Sequence, residues 1–157
     1  MNKEEIENFA REAAKGINTE QELSEFSQTL TKVVIETALN AELDEHLGYD
    51  RHDQPQSDNR RNGYSSKLLC TEDGEFELNT LRNRQGDFEP HLVKKRQTRF
   101  TSLDDKILNL YAKGMTTREI VSTFKKMYGA EISTTLISRV TDAPRYFICS
   151  LHIHTQF

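Results

Sequence analysis

Cysteine is scarce: Cys70 and Cys149 stand far apart and form neither a Cys-x-x-Cys pair nor a zinc-finger spacing. No redox or metal framework follows from them, and reduced thiols are expected. Long apolar runs are missing as well. None reaches the roughly 18 residues of a membrane span, and Met1 to Glu7 is acidic and polar, unlike a signal peptide. A cytoplasmic location without a membrane partner is therefore expected. Overall positive charge is also lacking, since the net charge is −4, a total that by itself argues against a nucleic-acid partner.

Residues 1–50 hold 4 Lys/Arg against 12 Asp/Glu, residues 51–99 hold 10 against 8, and residues 100–157 hold 7 against 5. The acid is concentrated at the N-terminal end. Lys94, Lys95, Arg96 and Arg99 lie together in the middle segment, a composition suited to neutralising phosphates or, equally, to a solvated linker. With 35% hydrophobic and 29% charged residues, the chain suits a soluble protein with one sizeable core or two small ones.

The N-terminal third reads as helical. A helix over about Lys3 to Lys15 is expected to bury Ile6, Phe9, Ala10 and Ala13 before Gly16. Thr19 and Glu22 then form a capping box for a longer helix ending at Gly48. It carries one stripe of Leu23, Phe26, Leu30 and Val33 and a second of Ile35, Leu39, Leu43 and Leu47. Two stripes imply two packing partners, one of them the first helix, and the second stripe is expected to meet either another copy of the chain or this chain's own middle region. The pattern lapses from Tyr49 to Tyr64. Lys67 to Thr71 and Glu75 to Leu81 then read as a β-hairpin turning at Asp73-Gly74, with Phe76 and Leu78 on its covered face. Arg82 to Pro90 reads as an irregular connection.

From Ser102 to Val140 the spacing predicts three helices. Leu103, Ile107, Leu108 and Tyr111 face inward on the first, which Gly114 stops. A capping box at Thr116 and Glu119 opens the second, which carries Ile120, Val121, Phe124, Met127 and Tyr128 up to Gly129. Ser133 caps the third, whose Leu136, Ile137 and Val140 point inward. Thr134, Thr135, Ser138 and Arg139 point outward. This is the pattern of a helix-turn-helix unit whose last helix reads a major groove, although three short amphipathic helices also make bundles that bind nothing.

Three strings carry a resemblance: Ala41-Glu42-Leu43-Asp44-Glu45-His46-Leu47-Gly48-Tyr49, Arg61-Asn62-Gly63-Tyr64-Ser65, and Phe88-Glu89-Pro90 with the basic run after it. Together with Asp104-Asp105-Lys106-Ile107, Tyr111-Ala112-Lys113-Gly114-Met115 and Thr117-Arg118-Glu119-Ile120, they resemble the N-terminal region of bacterial insertion-sequence transposases of the Mutator type, over about residues 19–142. The resemblance implies an N-terminal DNA-binding region followed by a ribonuclease H-like catalytic domain. In that domain two aspartates and a glutamate would hold divalent metal, magnesium, to activate water and then a DNA 3′ hydroxyl. The similarity stops at Pro144, which breaks the helix the family continues.

The sequence thus reads as mainly α, with an N-terminal helical region (1–48), a linker and small β-hairpin with the basic run (49–99), a helix-turn-helix unit (100–143) and an aberrant tail (144–157). The tail is expected to come from a frameshift or premature stop, or to belong to a natural short product. The expected function is that of a truncated transposase that binds double-stranded DNA at its element's terminal inverted repeats and lacks strand-transfer chemistry. Lys94, Lys95, Arg96, Arg99, Arg118, Thr134, Thr135, Ser138 and Arg139 are its expected DNA contacts, with no catalytic or metal-binding residue and no cofactor in this chain. Homo-oligomers, or mixed oligomers with full-length transposase, are further expected partners. A free-standing helix-turn-helix regulator and an interaction module built on the long helix remain as alternatives. Glu42 with His46, and Cys149 with His152 and His154, have metal-ligand chemistry but are read as accidents of an exposed helix face and of the tail.

Overall fold

Asn2 begins the first helix, with the Glu5 carboxylate accepting from its backbone N–H at 3.0 Å. In the computed structural model, which describes residues 2–53 and 58–142, α1 spans Lys3–Ala14 and α2 spans Glu20–Leu47. Thr19 caps α2 as its sequence predicts. Its hydroxyl accepts from the Glu22 N–H at 3.1 Å, and the Glu22 carboxylate accepts in return from the Thr19 N–H at 3.0 Å and the Asn18 N–H at 2.7 Å. Those backbone donors, Asn18 first, hold the Glu22 carboxyl below its ordinary range.

Strands β1 (Arg61–Thr71) and β2 (Gly74–Asn83) form one antiparallel hairpin, with Leu69 paired to Phe76 and Thr71 to Gly74. It starts six residues before the expected strand. The polar stretch from Arg61 to Ser66 shows no apolar alternation, and a bulge between Arg61 and Tyr64 shifts its register. The tight turn is Glu72-Asp73 rather than Asp73-Gly74. The Thr71 hydroxyl accepts from the Asp73 N–H, and Gly74 opens β2 at φ +122°.

Gly74 is also where α2 comes closest to the hairpin. A Cβ added there would lie 2.9 Å from Gln28 Nε2, the atom that donates to the Glu75 carbonyl at 2.9 Å. The dihedral therefore demands glycine, and an added Cβ would also push the Gln28 amide off its hydrogen bond. Gly74→Ala should lower stability by about 1 to 3 kcal/mol, read as a lower urea midpoint at unchanged slope. An unaltered midpoint would show that the turn relaxes freely.

The described residues build two cores. In the first, Ile35 and Leu39 of α2 pack on Leu69, Phe76, Leu78 and Val93, so the α2 stripe expected to meet either a second copy or the middle region meets this chain's own hairpin. Leu43 is also fully buried. The Glu36 carboxylate accepts from the Asn79 N–H at 2.9 Å and the Thr31 hydroxyl donates to Asp73 at 2.8 Å, fixing α2 across the sheet. The expected burial of Ile6, Phe9, Ala10 and Ala13 does not occur: α1 buries no residue.

The second core joins Leu103 and Ile107 of α3 (Thr101–Ala112) to Ile120 and Phe124 of α4 (Thr117–Tyr128). Ala130, Ile132, Ile137 and Val140 complete it, the last two from helix α5, residues 134–142. Gly129 at φ +62° ends α4, a dihedral that side chains with a Cβ avoid. Between the cores, residues 98–100 run alongside β1. The Cys70 N–H donates to the Thr98 carbonyl at 2.9 Å and the Phe100 N–H to the Cys70 carbonyl at 3.2 Å. Because successive residues of a strand face opposite sides, Leu69 enters the first core and Cys70 the second.

The architecture of the described residues is mainly α with one hairpin, as the sequence implies. No helix among the described residues is long and apolar enough to cross a membrane. The expected aberrant tail, including Cys149, His152 and His154, lies outside the described residues.

Candidate nucleic-acid interface

α5 owes its orientation to its cap and its apolar side. The Ser133 hydroxyl accepts from the Leu136 N–H at 3.1 Å, Ile137 and Val140 are buried, and Leu136 is half-buried. The Thr141 hydroxyl turns inward and donates to the Ile137 carbonyl at 2.9 Å. Thr134, Thr135, Ser138 and Arg139 are consequently all exposed and fall on one side of the helix. They form a small polar face with a single positive charge.

Arg118 lies in the first turn of α4, exposed. The Thr116–Glu119 box fixes that turn, with the Glu119 carboxylate accepting from the Thr116 N–H at 2.7 Å and its hydroxyl at 2.8 Å. These bonds, the backbone one foremost, hold the Glu119 carboxyl below its usual range.

The basic run is held from below. Val93 is fully buried, and Lys67 of β1 donates to the carbonyl oxygens of Lys94 at 2.6 Å and Lys95 at 3.3 Å. Burial lowers the pKa of that lysine. Lys94 and Arg96 project outward, and neither side chain has a hydrogen-bond or salt-bridge partner among the described residues. Lys95 is engaged, donating to the Gly86 carbonyl at 2.9 Å and pairing with Glu89 at 3.2 Å. Arg99 forms a two-pronged pair with Asp104, its Nη2 lying 3.2 Å from Oδ2, and so ties the approach of α3 to its first turn. Lys94, Arg96 and Arg99 line one shallow cleft, which takes no residue from α5 and does not include Arg118.

Two arginines that the sequence reading passed over belong beside this run. Arg82 and Arg84 flank the buried Asn83 at the open end of the hairpin, and with Asn62, Gly86, Phe88 and Lys95 they line a second cleft. Lys95 is common to that cleft and to the basic run. The available signal was the alternation Arg82-Asn83-Arg84, a strand carried two residues past Leu81 with both arginines on the wet face.

The three strings that carry the family resemblance meet in space. Glu42 accepts from the N–H groups of His91 at 2.7 Å and Leu92 at 3.0 Å, and Asp44 pairs with Arg61. His46 lies 3.3 Å from Asp87 and its ring centroid 5.4 Å from that of Phe88. Asn83 donates to Asp87, and this bond first, with His46 second, holds the Asp87 carboxyl below its ordinary range. Glu42 and His46 are thus clamps on the segment ahead of the basic run. Among the described residues no three His, Cys, Asp or Glu side chains converge to hold a metal ion, and Asp104 is committed to Arg99.

Comparison with known proteins places this arrangement. The sequence pattern of the transposase Mutator family matches residues 1–148, wider than the 19–142 of the resemblance and running past Pro144, where the similarity was expected to stop. The chain is 46% identical, over 72% of its length, to a probable transposase for an ISRM3-like insertion sequence element of Sinorhizobium fredii, and 45% identical over the same share to the ISRM3 transposase of Rhizobium meliloti. It is 32% identical over 92% of its length to the transposase of IS905 from Lactococcus lactis. It spans 28% of the length of each of the first two relatives and 37% of the third. The family match runs through both cores and the helices that carry Arg118 and Arg139, and the chain belongs to the Mutator family of transposases.

Proposed function

We propose that this chain is the DNA-recognition portion of a transposase and binds double-stranded DNA at the terminal inverted repeats of its insertion sequence. In this reading α3, α4 and α5 act as a helix-turn-helix unit, with Thr134, Thr135, Ser138 and Arg139 in the major groove. The face of α5 is the observation that carries it: four small or basic polar side chains, all exposed, opposite a fully buried Ile137. Arg118, Lys94, Lys95, Arg96 and Arg99 are assigned to the phosphate backbone, Lys94 and Arg96 foremost because their side chains are not committed elsewhere among the described residues. Arg82 and Arg84 extend the same basic surface. Strand transfer, and the magnesium it would use, are assigned to none of the described residues, and mixed oligomers with a full-length transposase belong to the same reading.

The test compares an element-end duplex with a scrambled duplex by fluorescence anisotropy across a salt series. A base-reading arginine contributes about 1 to 3 kcal/mol of discrimination. Arg139→Ala should therefore lose roughly 10- to 100-fold on the element end and little on the scrambled duplex. Lys94→Ala and Arg96→Ala should weaken both duplexes alike and each reduce the log–log salt slope by about 0.9. Equal losses on both duplexes for Arg139→Ala would remove α5 from the groove, and no binding to either duplex by the unaltered chain would end the reading.

A further inference from the structure

α2 has two apolar sides roughly half a turn apart, and the hairpin covers only one of them. On the other, Leu23 is 52% exposed, Leu30 36%, Val33 52% and Val34 56%. α1 meets this side at Phe26, whose ring centroid lies 6.2 Å from that of Phe9, yet Phe9 itself stays 50% exposed with Ile6 at 46%. A helix of 12 residues is marginal without an apolar face to bury, yet α1 buries nothing. The stripe formed by residues 23, 26, 27, 30, 33, 34, 37 and 41 reads Leu, Phe, Ser, Leu, Val, Val, Thr and Ala. It carries no charge over about five turns, although α2 has acids on both flanks. Charge depletion of this kind marks the centre of an interface.

Area and register identify the occupant. The exposed parts of the six large side chains amount to on the order of 600 Å², the upper end of the largest patch on an ordinary monomer. Two such faces together reach ~1,200 Å², where specific interfaces begin. We propose that this face binds a second copy of the chain, the two α2 helices running antiparallel about a two-fold axis at Leu30. The stripe is its own complement in that register: Leu30 meets Leu30, Phe26 meets Val34, Ser27 meets Val33 and Leu23 meets Thr37. A parallel pairing would set Glu20 and Glu22 against their own copies, whereas the antiparallel one sets Glu20 against Asn40 and Glu22 against Ala38. None of the residues assigned to DNA takes part, so this interface stands or falls apart from that reading.

Sedimentation of the full chain, from about 1 to 100 μM, should show a monomer–dimer equilibrium. Added salt should tighten it, because the N-terminal segments, each with 4 basic and 12 acidic residues, repel across the interface until screened. Salt acts on DNA binding with the opposite sign. Leu30→Asp with Val33→Asp, at exposed positions that leave both cores intact, should weaken association at least 100-fold while preserving the thermal transition. With Cys149→Ser in place and Cys70 buried, Leu30→Cys should be cross-linked into dimers by a short bismaleimide and Leu23→Cys should not. A chain that is monomeric at 100 μM, or association indifferent to Leu30→Asp with Val33→Asp, would overturn the interface. Equal cross-linking at both positions would overturn its antiparallel register.

Discussion

Leu39→Asp is expected to unfold the helix–hairpin half of the chain. Leu39 is 1% exposed and packs with Leu69, Phe76, Leu78 and Val93. Removing a buried leucine costs about 2 to 5 kcal/mol, and the aspartate adds the penalty of a carboxylate with no partner in an apolar core. The sum approaches the ~5 to 15 kcal/mol that holds a whole domain together. Circular dichroism in a urea series should show the helical signal of α2 lost without denaturant or at a greatly lowered midpoint. A variant that keeps its midpoint would mean that the hairpin does not cover this stripe, and that the stripe is free for another copy.

Phe124→Ala tests the other core. Phe124 is 1% exposed and sits among Leu103, Ile107, Ile120 and Ile137, with its ring centroid 5.1 Å from that of Tyr128. The expected loss is about 3 to 5 kcal/mol, measured as the shift in urea midpoint multiplied by the slope. Since Ile137 anchors α5 in the same cluster, affinity for element-end and scrambled duplexes should fall together, unlike the selective effect expected at Arg139. An unchanged midpoint would place α4 outside the core.

Much of this molecule could be read from local chemistry, since a cap depends on residues three apart. Thr19 with Glu22, Thr116 with Glu119 and Ser133 all cap the helices their sequence announces. The alternation of Phe76 and Leu78 likewise identified the covered face of the hairpin, and the composition that admits two small cores corresponds to the two observed. What escaped was the identity of partners remote in sequence. Both stripes of α2 were visible, but an apolar period does not say which stripe meets the sheet. The paired acids of the string around Glu42 and Asp44 gave no sign that they hold residues up to 50 positions away. Arg99 looked like any member of a basic run, and its pairing with Asp104 and its place beside Cys70 set it apart from Lys94 and Arg96.

Leu69 and Cys70 point to opposite sides of one strand, and residues 98–100 are hydrogen-bonded along it. A flexible tether between the halves would let α5 swivel freely against the acidic helical arm. This strand acts as a strut, braced further by Lys106, which reaches Glu72 in the hairpin turn at 3.2 Å while its ammonium sits 5.1 Å from the centre of the Tyr128 ring. A load on α5 therefore has a path into the hairpin and α2 through backbone hydrogen bonds and an ion pair as well as along the chain.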